Sequence, residues 1–273
     1  IETPLRRGNW FGKRWKTFIV GGGVMITLSM NLVVLGKSLK EKLYMGDQNN
    51  KQYNDWNMKI YGKTKIIHSP TLPTIYLIGD SHAGHYGAAM TYLAGKKEFN
   101  LIMNPRGEGL KLLREYKNDF KKGDFIIFSA WIKHYNQEGL DLIKQYETFL
   151  RQTQKIGIKF ILISPTPTFS NVKSYNTCQE EWYRPSWMIS PSCFREVKKS
   201  EWFSSNAVSI AKIEQFLLAN PKVSYIDAFS ILCPDFYCKN HDQNKLIYKD
   251  SNHLTSESAM KLRYAIETLI RSK

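Results

Sequence analysis

The chain opens with two contrasting patterns. From Thr17 to Gly36 run 20 residues without a charge, mostly Val, Ile, Leu, Met and Gly. That is the length a helix needs to cross a bilayer. A buried core helix or a signal-peptide core fits less well, because the run exceeds a usual signal core and no small-residue cleavage site follows. Residues Glu41 to Pro73 are polar and end in Pro70 and Pro73, as a linker does. Beyond Pro73, short apolar runs alternate with helical periodicity, which predicts a parallel α/β sheet. The runs are Thr74 to Ile78, Asn100 to Met103, Phe125 to Ser129, Phe160 to Ser164 and Val223 to Ile226.

Between these five strands, Leu140 to Gln154 and Asn206 to Leu218 carry helical spacing of Leu, Ile and Phe. From Thr255 an N-cap pattern leads into the stripe Ala259, Met260, Leu262, Ala265, Ile266, Leu269, Ile270, predicting a C-terminal helix. Thr166 to Trp202 fits neither pattern. It is long, rich in Ser, Pro and Trp, and carries two cysteines, so we read it as a disulfide-tied excursion over the rim of the site.

Charge sets the orientation. Arg6, Arg7, Lys13, Arg14 and Lys16 precede the apolar run against the lone Glu2, and positive flanks stay cytoplasmic. The bulk of the chain is then expected outside. Cys178, Cys193, Cys233 and Cys238 all lie in that exported half, where disulfides are the default. Proximity favours Cys178 with Cys193 and Cys233 with Cys238, although four cysteines admit three pairings. A zinc site would want a Cys-x-x-Cys spacing that the chain lacks. The net charge of +15 over 273 residues suits anionic headgroups or acidic glycans, and no nucleic-acid motif accompanies it.

Two constellations carry chemistry. Tyr76-Leu77-Ile78-Gly79-Asp80-Ser81-His82 ends a predicted strand in a turn that offers the Ser81 hydroxyl at the strand's C-terminal edge, where open α/β sheets bind ligands. Near the other end, Asp250-Ser251-Asn252-His253 sets a carboxylate three residues before an imidazole. A serine hydroxyl is a poor nucleophile until a base takes its proton, and a histidine does so near neutral pH. His253 is the candidate base, and Asp250 the acceptor that fixes its tautomer. Either constellation alone reads as an ordinary turn. Bracketing one α/β domain in the order Ser, Asp, His, they make coincidence a poor explanation.

Through these two motifs the chain, from about Thr74 to its C-terminus, resembles the SGNH or GDSL hydrolases. It is closer still to the SGNH domains fused to membrane acyltransferases of the acyltransferase-three family, which O-acetylate bacterial O-antigen and other surface glycans. The resemblance implies an SGNH, flavodoxin-like three-layer sandwich with a parallel five-stranded sheet behind one transmembrane helix. It divides the chain into 1–16 as the cytoplasmic end of a preceding membrane domain, 17–39 as the bilayer-crossing helix, 40–72 as a periplasmic linker and 73–273 as the acyl-transfer domain. The bacterial inner membrane, with this domain in the periplasm, is the implied location. The Cys233 and Cys238 pair is similar to those fused domains.

The resemblance also assigns roles. Ser81 is nucleophile, His253 general acid and base, Asp250 its partner, and the Ser81 amide one oxyanion donor. Gly107, or Gly109, supplies a second donor. The family's third-block Asn is missing from Phe128-Ser129-Ala130-Trp131-Ile132-Lys133-His134, where Trp131 lines the substrate site or packs in the core. His82 and His85 are expected to make supporting contacts or cap the following helix, and no metal is assigned. The implied reaction moves an acetyl group, drawn from acetyl-CoA and delivered by the membrane domain of the same polypeptide, onto a glycan hydroxyl. No cofactor is expected in this domain. A carbohydrate esterase using the same three residues and a glycan-binding pseudoenzyme are the alternatives.

Overall fold

The computed structural model describes residues 14–39, 64–104, 114–138, 141–173, 178, 186–243 and 245–271. The chain divides into two units, residues 1–51 and 52–273.

In the first, helix α1 (Arg14–Leu39) contains the apolar stretch Phe18–Leu35, with a mean hydropathy of 2.1. It is long and apolar enough to cross a membrane. Its large side chains stand exposed, Phe18 and Leu32 among them, as a surface made for hydrocarbon would be. Thr27 Oγ1 donates to Gly23 O and Asn31 Nδ2 to Thr27 O, both at 2.8 Å, so these polar side chains are satisfied by the helix's own carbonyls.

The second unit is built on a sheet. Its strands are β1 (Thr64–Ile66), β2 (Thr74–Gly79), β3 (Asn100–Asn104), β4 (Phe125–Ser129), β5 (Lys159–Ile163) and, later in the chain, Ser224–Ile226. Among the described residues this sheet has six strands in the order β1-β3-β2-β4-β5-(224–226). Apolar residues on both faces bury it: β3 and β4 are buried along their whole length.

The parallel five-stranded expectation needs one correction. A sixth strand, β1, pairs antiparallel with β3, Thr64 opposite Met103 and Ile66 opposite Leu101. It falls in the stretch whose polarity reads as linker. A half-exposed edge strand of three residues needs no apolar run, so pattern alone does not reveal it.

Without β1 the order is that of flavodoxin-like folds. The chain steps one way from β2 to β3 and the other way from β4 through β5 to 224–226. Right-handed crossovers then place the connecting helices on opposite faces, giving three layers. Gly87–Ala94 accordingly packs with Ser256–Ala259 and Arg263–Arg271, while Leu142–Thr153 packs with Ala207–Ala219. The reversal opens a crevice between the C-terminal ends of β2 and β4, and both candidate loops lead there.

The excursion after β5 is stapled. Cys178 bonds Cys193, and Cys233 bonds Cys238. Glu196–Lys198 pairs antiparallel with Tyr237–Lys239, setting Val197 opposite Cys238. Asn240, wholly buried, accepts from Arg195 N at 2.7 Å and donates to Cys193 O at 3.1 Å. Phe169 N donates to Ser251 O at 2.8 Å, which anchors the start of the excursion on the loop holding Asp250 and His253.

Candidate active site

The turn that carries Ser81 starts at a forced glycine. Gly79 ends β2 with φ of +148°, and a Cβ there would lie 1.7 Å from Ser129 O on the neighbouring strand. No side chain fits that approach, and no L-residue favours that backbone. Asp80 then caps the short helix Ser81–Gly84, its Oδ1 accepting from His82 N at 2.7 Å. Ser81 is thereby the first helical residue, at the mouth of the crevice.

The second loop is equally constrained. Tyr248 bridges Leu254, and Lys249 N donates to His253 O at 2.8 Å, so residues 249–253 form a closed loop. Inside it Asp250 Oδ1 accepts from Asn252 N and His253 N, both at 2.8 Å. The other oxygen, Oδ2, meets His253 Nδ1 at 2.6 Å, and His253 Nε2 meets Ser81 Oγ at 2.6 Å. The structure thus brings together across 172 residues the three side chains the sequence singles out.

These contacts assign the proton positions. Burial alone would raise the Asp250 pKa, but the hydrogen bond and charge of His253 and the two backbone N–H groups outweigh it and leave it below the usual range. An ionised Asp250 can only accept, so Nδ1 carries the ring proton and the Nε2 lone pair faces the Ser81 hydroxyl. That is the arrangement a general base requires.

Two other histidines crowd the site without competing for that role. His82 is 1% exposed, its ring 5.3 Å from His253 and 5.1 Å from His85. Burial first, then the nearby His253, pushes its pKa down to about 4, against the opposing pull of Asp80 and Asp250. Burial also lowers His85 well below its ordinary value. Both rings are therefore neutral at pH 7 and pack behind His253. The Nδ1 of His85 also receives the Leu254 N–H at 3.5 Å, a long contact across to the second loop.

The loop after β4 departs most from expectation. Trp131 N donates to Asp80 Oδ2 at 2.8 Å, so this amide is not free to serve an oxyanion. The half-buried Trp131 ring stacks on His82 with centroids 6.4 Å apart, and its indole N–H is buried without a partner among the described residues. Gly107 and Gly109 lie outside the described residues. His134, which no local pattern flags, puts Nδ1 2.5 Å from Asp80 Oδ2. Its partner is 54 residues away, and only the fold reveals the pair. Among the described residues no cluster of three or more His, Cys, Asp or Glu side chains is disposed to hold a metal ion.

Comparison with known proteins places this geometry. Among solved structures, the periplasmic domain of a Salmonella ser. Paratyphi A lipopolysaccharide acetyltransferase has a TM-score of 0.51 at 14% identity, covering 82% of this chain and 99% of that one. A GDSL-like lipase from Bacteroides thetaiotaomicron has a TM-score of 0.44 at 15% identity, covering 72% and 87%. At such identity the likeness to the Salmonella domain is one of fold. No curated protein matches the chain. The family model described as "SGNH domain (fused to AT3 domains)" matches residues 47–268. Because that match takes in most of the sequence, from ahead of the Ser81 turn to beyond the His253 loop, the chain belongs to the SGNH domains that are fused to AT3 domains, within the SGNH/GDSL hydrolase enzymes.

Proposed function

We propose that this domain transfers an acetyl group to a hydroxyl of a bacterial surface glycan through an acyl-enzyme on Ser81. The observation that carries the reading is the continuous hydrogen-bonded series from Ser81 Oγ through His253 to Asp250, 2.6 Å at each link. His253 Nε2 takes the Ser81 proton as Oγ attacks the donor carbonyl, and returns it to the departing group. An acetyl ester of Ser81 remains. The incoming sugar hydroxyl then loses its proton to His253 and attacks that ester, the bond to Ser81 Oγ breaks, and His253 returns the proton to Oγ. Asp250 stabilises the imidazolium in both halves.

The Ser81 amide is one oxyanion donor in this reading, since the N–H groups of a first helical turn have no partner within the helix. Gly107 is proposed as a second donor, and the Trp131 ring as a wall of the substrate site. The donor acetyl, from acetyl-CoA, arrives through the membrane domain, and residues 17–39 anchor the periplasmic domain at the inner membrane. Residues 1–16 are proposed to close the membrane domain and 40–72 to link helix and acyl-transfer domain, its last part pairing as β1. Membership of the AT3-fused family supports this arrangement, and the Salmonella domain of similar fold comes from a lipopolysaccharide acetyltransferase.

The test is mass spectrometry and turnover of the detergent-solubilised chain with 4-nitrophenyl acetate, beside Ser81→Ala. An acetyl mass on Ser81, lost with turnover in the variant, is expected. With a glycan acceptor added, acetyl should appear on sugar faster than free acetate accumulates. Free acetate in excess would make the domain an esterase, and no labelling in either protein would leave a glycan-binding role.

A further inference from the structure

Beside the Ser81–His253–Asp250 series lies a second carboxylate–imidazole pair. The Asp80 carboxylate gathers three donors from two segments. His82 N reaches Oδ1 at 2.7 Å from the nucleophile turn. Trp131 N at 2.8 Å and His134 Nδ1 at 2.5 Å both reach Oδ2 from the loop after β4. The Asp80 side chain is only 13% exposed. Burial by itself would raise its pKa, yet the His134 hydrogen bond, the proximity of His82 and the two amides together hold it below the ordinary range. Asp80 is thus an ionised, nearly dry group that depends on these donors.

We propose that His134 is a positioning residue: through Asp80 it holds the nucleophile turn in register with the loop after β4. The inference rests on the reading of Ser81 as nucleophile. His134 makes no contact with Ser81. Its ring stands edge-on to Trp131 at 5.4 Å, and its backbone N–H bonds Trp131 O at 2.9 Å, so its own loop orients it toward Asp80. Gly79 presses against Ser129 O on one side of the turn, and the Asp80 carboxylate fastens the other.

Without His134, Oδ2 keeps a single donor, and the carboxylate must rotate toward water to recover another. Rotation loosens the Oδ1 bond to His82 N, which defines the first turn of the helix that begins at Ser81. The Ser81 hydroxyl then spends less time 2.6 Å from His253 Nε2. It also releases Trp131, whose ring stacks on His82 behind the base. Misplacement of reacting groups by about 1 Å costs roughly a hundredfold in rate.

The experiment compares the full chain in detergent with His134→Ala and His134→Asn, using 4-nitrophenyl acetate turnover and thermal unfolding. The Asn side chain sets an amide N–H about where histidine sets Nδ1. Ala is expected to lower kcat about 10- to 100-fold, with KM within about twofold and unfolding temperature little changed. Asn should recover most of the lost kcat.

An Ala variant with kcat close to wild type overturns the proposal. So does an Asn variant as slow as Ala, because packing and not the hydrogen bond would then be at work. A fall in unfolding temperature common to Ala and Asn, without recovery in Asn, counts the same way. If wild type shows no Ser81-dependent turnover at all, the proposed function falls first and this inference with it.

Discussion

A histidine buried neutral beside His253 makes the domain acid-sensitive in a definite window. The His82 pKa is about 4 in the folded chain against an ordinary value of 6.5, and its ring is 1% exposed. Between those pH values the unfolded chain binds a proton that the folded chain does not. The His82 contribution to stability is therefore fully present above about pH 6.5, is lost as pH falls, and is gone near pH 4, where the folded ring also takes the proton. Each pH unit is worth about 1.4 kcal/mol, so the window costs roughly 3 kcal/mol from His82 alone. His85, shifted in the same direction, adds to the slope. The assay is urea unfolding of the detergent-solubilised chain at pH 7.5, 6.5, 5.5 and 4.5, followed by tryptophan fluorescence. Wild type is compared with His82→Gln, whose buried amide costs the same at every pH and so shifts the curve without a slope of its own. Subtracting the two profiles removes the slope that His85, Asp80, Asp250, His134 and His253 around it contribute to both proteins. The difference should change by about 2 kcal/mol between pH 6.5 and 4.5. Parallel profiles for the two proteins over that range would refute the reasoning.

The remaining expectations concern the two loops. Gly79→Ala sets a Cβ against Ser129 O and strains a backbone at φ +148°, so it should lower unfolding free energy by about 3 kcal/mol or more. A chain destabilised by less than about 1 kcal/mol in the same urea assay would show that β2 and β4 can part there. Asp250→Asn keeps an oxygen for the Asn252 and His253 amides but presents a donor to Nδ1, which reverses the ring tautomer. By analogy with other triads kcat on 4-nitrophenyl acetate should drop about ten-thousand-fold with KM little altered. A loss confined to KM would place Asp250 in binding instead.

What could be read from the chain differs from what could not in a physical way. The helix Arg14–Leu39 is legible because its exposed apolar surface is a property of consecutive residues. Strands such as Phe125–Ser129 are legible because burial on both faces demands an unbroken apolar run. Ser81, Asp250 and His253 are legible as candidates because each lies in a short motif of turn residues, and the fold brings the three into contact. Proximity favours the adjacent pairing of the cysteines, and that is the pairing found.

Only the tertiary structure decides the rest. The antiparallel edge strand Thr64–Ile66 leaves no pattern, since three half-exposed residues need only a neighbour with free hydrogen-bonding groups, and β3 provides it. Asp80 looks like one more turn residue until the fold carries Trp131 and His134 to its carboxylate from a loop some fifty residues on. His82 looks like a possible base until burial makes it a poor proton acceptor, and the fold sets the Nε2 of His253 against the Ser81 hydroxyl. Local pattern specifies elements and candidate chemistry, because both depend on neighbours in sequence. Which proton sits on which ring depends on what burial removes and on which distant groups arrive, and those are set by the packing of the sheet and its two layers of helices.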